Sequence, residues 1–293
     1  MIAPTLTRHR PALRLTALER RLGGARPTAD VGEARAAWAA FCGTGKRVRP
    51  FLTEADGNAK LARGGGGWAL MSLVLSPAGS AGIPGCNTCP WATAGCRADG
   101  KGDAVGAHGC LATAGRLRFD PAREARDRRT AFLWEYPGHA KALILSELRR
   151  AIRRYRRVAF RSGVLSDLRL EWCFPELRVL GSPKVVALYD YSKARFSDRN
   201  PSLIGLDLTW SVSERWSDAD IRAAVKAGRR CALVAGKGSV WWARVESGDW
   251  DGLPVWSGDD SDARFLEGPG VVVLKAKGEL RGAAPGAAGG FVR

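Results

Sequence analysis

Residues 76–114 are too rich in glycine to hold a shape through their own side chains, yet they carry four of the chain's seven cysteines. Cys86, Cys89, Cys96 and Cys110 are spaced C-x2-C-x6-C-x13-C, while Cys42, Cys173 and Cys231 stand singly. Ordering so flexible a stretch is entropically costly, and it stays inside a compact domain only when something staples it. Four clustered thiols supply a staple by ligating a metal centre. An odd cysteine count without a secretory leader pattern argues against a disulfide scaffold and for a reducing cytoplasm.

The spacing selects among centres. A structural zinc site usually draws its thiolates from two close pairs far apart in sequence, and only one C-x2-C pair is present here. Iron–sulfur clusters accept uneven spacing because each thiolate binds a different iron of a bulky core. The expected centre is therefore a [4Fe–4S] cluster held by Cys86, Cys89, Cys96 and Cys110, with zinc as the alternative. His108, two residues before Cys110, is a further candidate that could replace one thiolate.

Around this loop the pattern reads as alternating strands and helices. Residues 1–45 read as a basic extension with helical pieces over 12–21 and 31–41. Residues 46–293 read as one domain. Trp68–Leu75 is a buried-strand pattern ahead of the cysteine loop. Asp120-Pro121 opens a helix that runs to about Glu135. His139–Arg157 follows, with Leu143, Ile144, Leu148 and Ile152 on one stripe. Strands are expected over 158–164, 184–189, 202–211, 230–235, 253–256 and 270–276. A helix opens at Ser217 with a capping box and ends at Gly228, and 282–290 reads as a flexible tail.

Such alternation predicts a parallel sheet, and polar residues at the strand ends favour a TIM-barrel-like βα fold whose chemistry gathers at the C-terminal rim. The rim candidates are Asp167, Asp190, Lys193, Asp259, Asp262 and Lys275, on the same side as the cysteine loop. Each is also an ordinary turn or capping residue type.

Lys and Arg total 46 against 29 Asp and Glu, a net charge of +17. Such an excess fits a nucleic-acid partner, or equally a solvated surface. Arg149, Arg150, Arg153, Arg154 and Arg157 crowd one helix tail, which on a barrel would face away from the cysteine loop. No apolar run is long enough to span a bilayer.

The segments Leu73-Val-Leu-Ser-Pro-Ala-Gly79, Cys86…Cys89-Pro-Trp-Ala-Thr-Ala-Gly-Cys96 and Cys110-Leu-Ala-Thr-Ala-Gly-Arg116 resemble the "gene product 88" family of actinobacterial phages. Leu165-Ser-Asp167, Tyr189–Lys193, Asp259–Leu266 and Lys275–Gly278 extend the resemblance. It implies a cytoplasmic phage protein with a cysteine-ligated centre on a barrel-like fold. The 13 residues between Cys96 and Cys110 exceed the tighter spacing associated with that family.

A cluster loop after the first strand is also the placement used by radical S-adenosylmethionine enzymes. Those use C-x3-C-x2-C with one iron open, and no Gly-Gly-Glu motif occurs here, so no S-adenosylmethionine binding is expected. Three functions remain in view. The first is an iron–sulfur protein with a structural, redox-sensing or electron-transfer role. The second is a nucleic-acid-acting protein whose Asp167, Asp190, Asp259 and Asp262 hold a divalent cation. The third is a zinc-stapled interaction module.

Overall fold

A computed structural model describes residues 15–43, 48–54, 67–96, 108–180 and 185–293. Among these residues nine strands form one sheet: β1 (Thr53–Glu54), β2 (Ala69–Ser72), β3 (Val158–Arg161), β4 (Val186–Ser192), β5 (Leu206–Ser211), β6 (Arg230–Ala235), β7 (Asp249–Trp250), β8 (Leu253–Ser257) and β9 (Gly270–Lys275). Their order is β1-β2-β3-β4-β5-β6-β9-β8-β7. The pairings from β2 through β6 to β9 and β8 are all parallel, and only β1 and β7 run antiparallel to their neighbours.

The expected barrel does not close. Strands β2 to β6 follow in sequential order as in a barrel, but the outer edge of β2 is taken by antiparallel β1. At the other end β8 is occupied by β7 through a hairpin. The hairpin turns at Asp251-Gly252, both with positive φ (51° and 81°), the two-residue turn whose twist matches antiparallel strands. With these positions filled by β1 and β7, β2 and β8 do not pair with each other. The fold is an open, mostly parallel α/β sheet.

Helices α1 (Ala17–Gly24), α2 (Val31–Cys42), α3 (Asp120–Glu135) and α4 (Pro137–Tyr155) come before β3. Helix α1 starts at a complete capping box: the Thr16 hydroxyl accepts from Glu19 N–H at 3.1 Å and the Glu19 carboxylate accepts from Thr16 N–H at 2.8 Å. Helix α4 begins with Pro137, which needs no N–H partner at that position. Leu18 and Leu22 of α1 and Ala34 and Trp38 of α2 are buried with Phe132, Leu143, Ile144 and Leu148 of α3 and α4. The described part of the basic N-terminal segment is thus built into the main core; residues 1–14 lie outside the described residues.

Alternation along the strands separates two faces. Val158, Phe160, Val186 and Leu188 point into the core beneath α2–α4, while Leu70, Ala159, Ala187 and Tyr189 form a smaller cluster on the opposite face with Trp68 and Phe265. A second core packs Ile221 and Val225 of α6 (Asp218–Lys226) and Trp241 of α7 (Trp241–Ser247) on β6, β8 and β9. Between β3 and β4 lies the short helix α5 (Leu170–Cys173). Just before it, Arg169 makes a two-toothed ion pair with Glu19 of α1, at 2.9 and 2.7 Å, with both side chains buried.

Candidate metal centre at the strand rim

Every segment that enters the candidate site leaves the C-terminal end of a parallel strand. The cysteine loop follows β2, Gly163–Asp167 follows β3, Lys193 follows β4, Val212 follows β5 and Lys277 follows β9. Together they enclose a cavity of about 210 Å³. Cys89, Cys96 and Cys110 all line it, with Asp167, Lys193 and Asp262. Rim geometry puts these side chains together because parallel strands all release their loops on the same side of the sheet.

Cross-links to the framework hold the loop. Thr88 donates its hydroxyl to Ser76 O at 2.6 Å, and Asp167 N–H donates to Thr88 O at 2.8 Å. The Cys89 thiol donates to Leu165 O at 3.2 Å, and Cys89 N–H donates to Asn87 Oδ1 at 2.9 Å. Further along, Thr93 donates its hydroxyl to Glu214 at 2.8 Å. Trp91 lies under the Arg169 guanidinium, 4.9 Å from its ring centre, so the Glu19–Arg169 pair also braces the loop. The contacts with Leu165, Asp167 and Arg169 tie the glycine-rich stretch to the segment after β3, and the bond to Glu214 ties it to the segment after β5.

The cysteines divide three to one. Burial pushes the Cys89 thiol up to about 12 and the Cys110 thiol up to about 11. The charge of Cys96 is felt at both, and at Lys193, whose ammonium is hydrogen-bonded to Cys96. Burial alone would lower the Lys193 pKa, but Cys96, Asp167 and Cys89 outweigh it and hold it above the ordinary lysine value. Cys86 is different. It packs in the main core and does not line the cavity, and only burial acts on its thiol, pushing it up to about 11.

Other sequence-predicted positions separate into rim residues and structural pairs. Asp167 accepts from Ser192 Oγ at 2.8 Å and from Lys193 N–H at 2.7 Å, which fixes the backbone that carries Lys193. Burial nevertheless raises the Asp167 pKa. Asp190 is buried behind the rim, accepts from Ser162 Oγ at 2.5 Å and has its carboxyl raised to about 6, chiefly by burial. Asp262 accepts from Arg161 at 2.7 Å. Asp259 does not reach the cavity, because it accepts from Lys275 N–H at 2.9 Å and from Lys277 Nζ at 2.7 Å. His108 lies outside the cavity lining, 3.6 Å from Glu279.

The four aspartates therefore have separate donors. Among the described residues no group of three or more His, Cys, Asp or Glu is close enough to clasp one metal ion.

Sequence reasoning missed Phe291, which directly follows the 282–290 tail expected to be flexible. Its side chain is buried against the cysteine loop and it lines the cavity. Val292 beside it pairs with Val234 of β6, so the tail is docked by backbone as well as by side chain. The aromatic-aliphatic pair after a glycine run was the available signal.

A profile of the Gene product 88 family matches residues 51–291, spanning the sheet, the cysteine loop and Phe291. The chain belongs to the Gene product 88 family. No curated protein and no solved structure matches it. The family match ends at the residue that closes over the loop, so the rim assembly lies inside the family's shared region. Among the described residues no helix is long and apolar enough to cross a membrane.

Proposed function

We propose that this Gene product 88 protein is an iron–sulfur protein whose centre, of the [4Fe–4S] type, is held at the strand rim by Cys89, Cys96 and Cys110. The observation that carries this reading is that three cysteines, separated by 6 and 13 residues of glycine-rich chain, line one small cavity beside Lys193. A single zinc ion needs its thiolates at about 2.3 Å from one point, a closeness not found among the described residues. Cluster ligands bind different irons, so thiols that line one cavity need not converge on a single point.

When bound, a cluster supplies one-electron chemistry and a rigid cross-link. The chain's own residues do the rest. Lys193 places a positive charge next to Cys96, offsetting the negative charge of thiolate ligands. Asp167 fixes Lys193 through its backbone N–H. Phe291 covers the loop and limits water. A redox-sensing or electron-transfer role follows more naturally than hydrolysis, because Asp167, Asp190, Asp259 and Asp262 do not meet at one point. The case against S-adenosylmethionine then rests on the missing Gly-Gly-Glu motif, since three thiolates no longer close the cluster.

Anaerobic purification with iron, sulfide and zinc quantitation tests this reading. The expected result is a brown protein with about four irons per chain. Serine at Cys89, Cys96 or Cys110 strips the iron, whereas Cys86→Ser retains it. Loss of iron in Cys86→Ser would instead make the ligand set four. A colourless protein containing zinc would overturn the cluster in favour of a zinc-stapled module.

A further inference from the structure

Along the β1–β2 edge runs a second and larger concavity of about 1140 Å³, and six arginines contribute to its walls. Arg49, Arg116, Arg126, Arg129, Arg150 and Arg154 line it, against two carboxylates, Glu54 and Glu147. Glu147 is already engaged, since it accepts from Phe51 N–H at 2.9 Å and from Leu52 N–H at 2.8 Å. Arg129 is likewise structural, donating to Phe51 O at 2.7 Å. These two build a rigid floor.

The remaining arginines are available. Arg49, Arg116, Arg150 and Arg154 are exposed, and none of them enters an ion pair among the described residues. Arg126 is nine-tenths buried, donates one Nη to Leu117 O at 2.6 Å, and keeps a buried Nε with no hydrogen-bond partner. A buried guanidinium with an unmet donor in a wall of cations is what an anionic group would satisfy. Phe119 adds an aromatic face to the same wall, 52% exposed and with the Arg118 guanidinium 5.2 Å from its ring.

We infer that this groove binds single-stranded nucleic acid, its phosphates on Arg116, Arg150 and Arg154 and one base stacked on Phe119. Cations tracking a backbone beside an exposed ring are the combination that single strands use, because an unpaired base has a free face and a duplex base does not. The sequence placed the Arg149–Arg157 cluster on the face away from the cysteine loop. No residue of that loop lines this groove; Arg150 and Arg154 share it with Arg116–Phe119, the segment that follows Cys110. The inference is independent of the metal centre.

Fluorescence anisotropy with a labelled 20-residue oligodeoxythymidylate tests it over a salt series. The variant Arg116→Ala/Arg150→Ala/Arg154→Ala removes three exposed groove cations. Arg178→Ala/Arg195→Ala/Arg281→Ala removes the same charge elsewhere on the exposed surface. The groove variant is expected to bind at least ten-fold more weakly, with its log–log salt slope reduced by about 2, and the control variant to change less than two-fold. Phe119→Ala is expected to lose roughly ten-fold in affinity. Equal losses in the two triple variants, no binding by the native protein, or a duplex of the same length binding as tightly as the single strand would each overturn the inference.

Discussion

The ring of Phe291 fills the space that a side chain on Gly109 would need. The same residue bars Gly95, where an added Cβ would lie 2.5 Å from the Phe291 Cβ. Gly109 N–H donates to Gly95 O at 2.7 Å, so the two glycines beside Cys110 and Cys96 are pressed together under one aromatic lid. Gly109→Ala is expected to cost about 1–3 kcal/mol by overpacking, and much less in a Phe291→Ala background. Chemical denaturation of the four proteins of this cycle measures the coupling. Equal cost in both backgrounds would show that the ring is not what excludes the side chain.

The buried pair of Glu19 and Arg169 ties α1 to the approach of α5 and, through Trp91, to the cysteine loop. Glu19→Ala leaves the guanidinium uncompensated and is expected to destabilise by about 3–5 kcal/mol. Substituting both partners together, Glu19→Leu with Arg169→Met, is expected to recover most of that loss. Urea midpoints of the single and double variants decide it.

Lys193 offers a test of the proposed centre that leaves the backbone alone, because the bond from its N–H to Asp167 survives a change of side chain. In Lys193→Met the reduced, more negative state of the proposed cluster would lose its neighbouring cation. Its potential is expected to fall by on the order of 100 mV, from one charge a few ångströms away in an effective dielectric near 20. Spectroelectrochemical titration of both proteins provides the readout. An unchanged potential would place the ammonium too far from the cluster to matter.

Asp190 makes stability depend on acidity in an unusual direction. Its folded value of about 6 lies above the ordinary 3.8, chiefly through burial and despite Arg161. The folded state therefore holds this proton more tightly, and its contribution is complete below about pH 4 and lost as pH rises through 6. Relative to Asp190→Asn, the native protein is expected to lose about 2 kcal/mol between pH 4 and pH 7. Urea denaturation at several pH values gives this difference, and a constant gap would refute the shift.

Much of this architecture was legible in the residues. Asp120-Pro121, the Ser217–Asp220 box and the Val271–Val273 run mark their elements because caps and β-branched runs act locally. Closure was not legible, since it depends on what pairs with the outer edges of β2 and β8, a non-local matter decided by two-residue strands with no pattern to read. The clustering of Cys89, Cys96 and Cys110 was visible in spacing. The retreat of Cys86 into the core was not, because a C-x2-C turn ordinarily offers both thiols to one metal and only the packing of the whole chain turns Cys86 inward. Likewise Arg116 and Arg154 lie far apart in sequence, and only the fold brings them to one groove.

Strand β9 is inserted between β6 and β8, and both it and Phe291 follow every cysteine in the chain. A ribosome thus releases all the thiols before it releases the central strand of the second core and the residue that seals the rim. Until then the loop has neither its lid nor a completed sheet beneath it. The thiols are therefore exposed on an open rim until Phe291 docks, and a centre of the kind proposed would be accessible to delivery machinery throughout that interval.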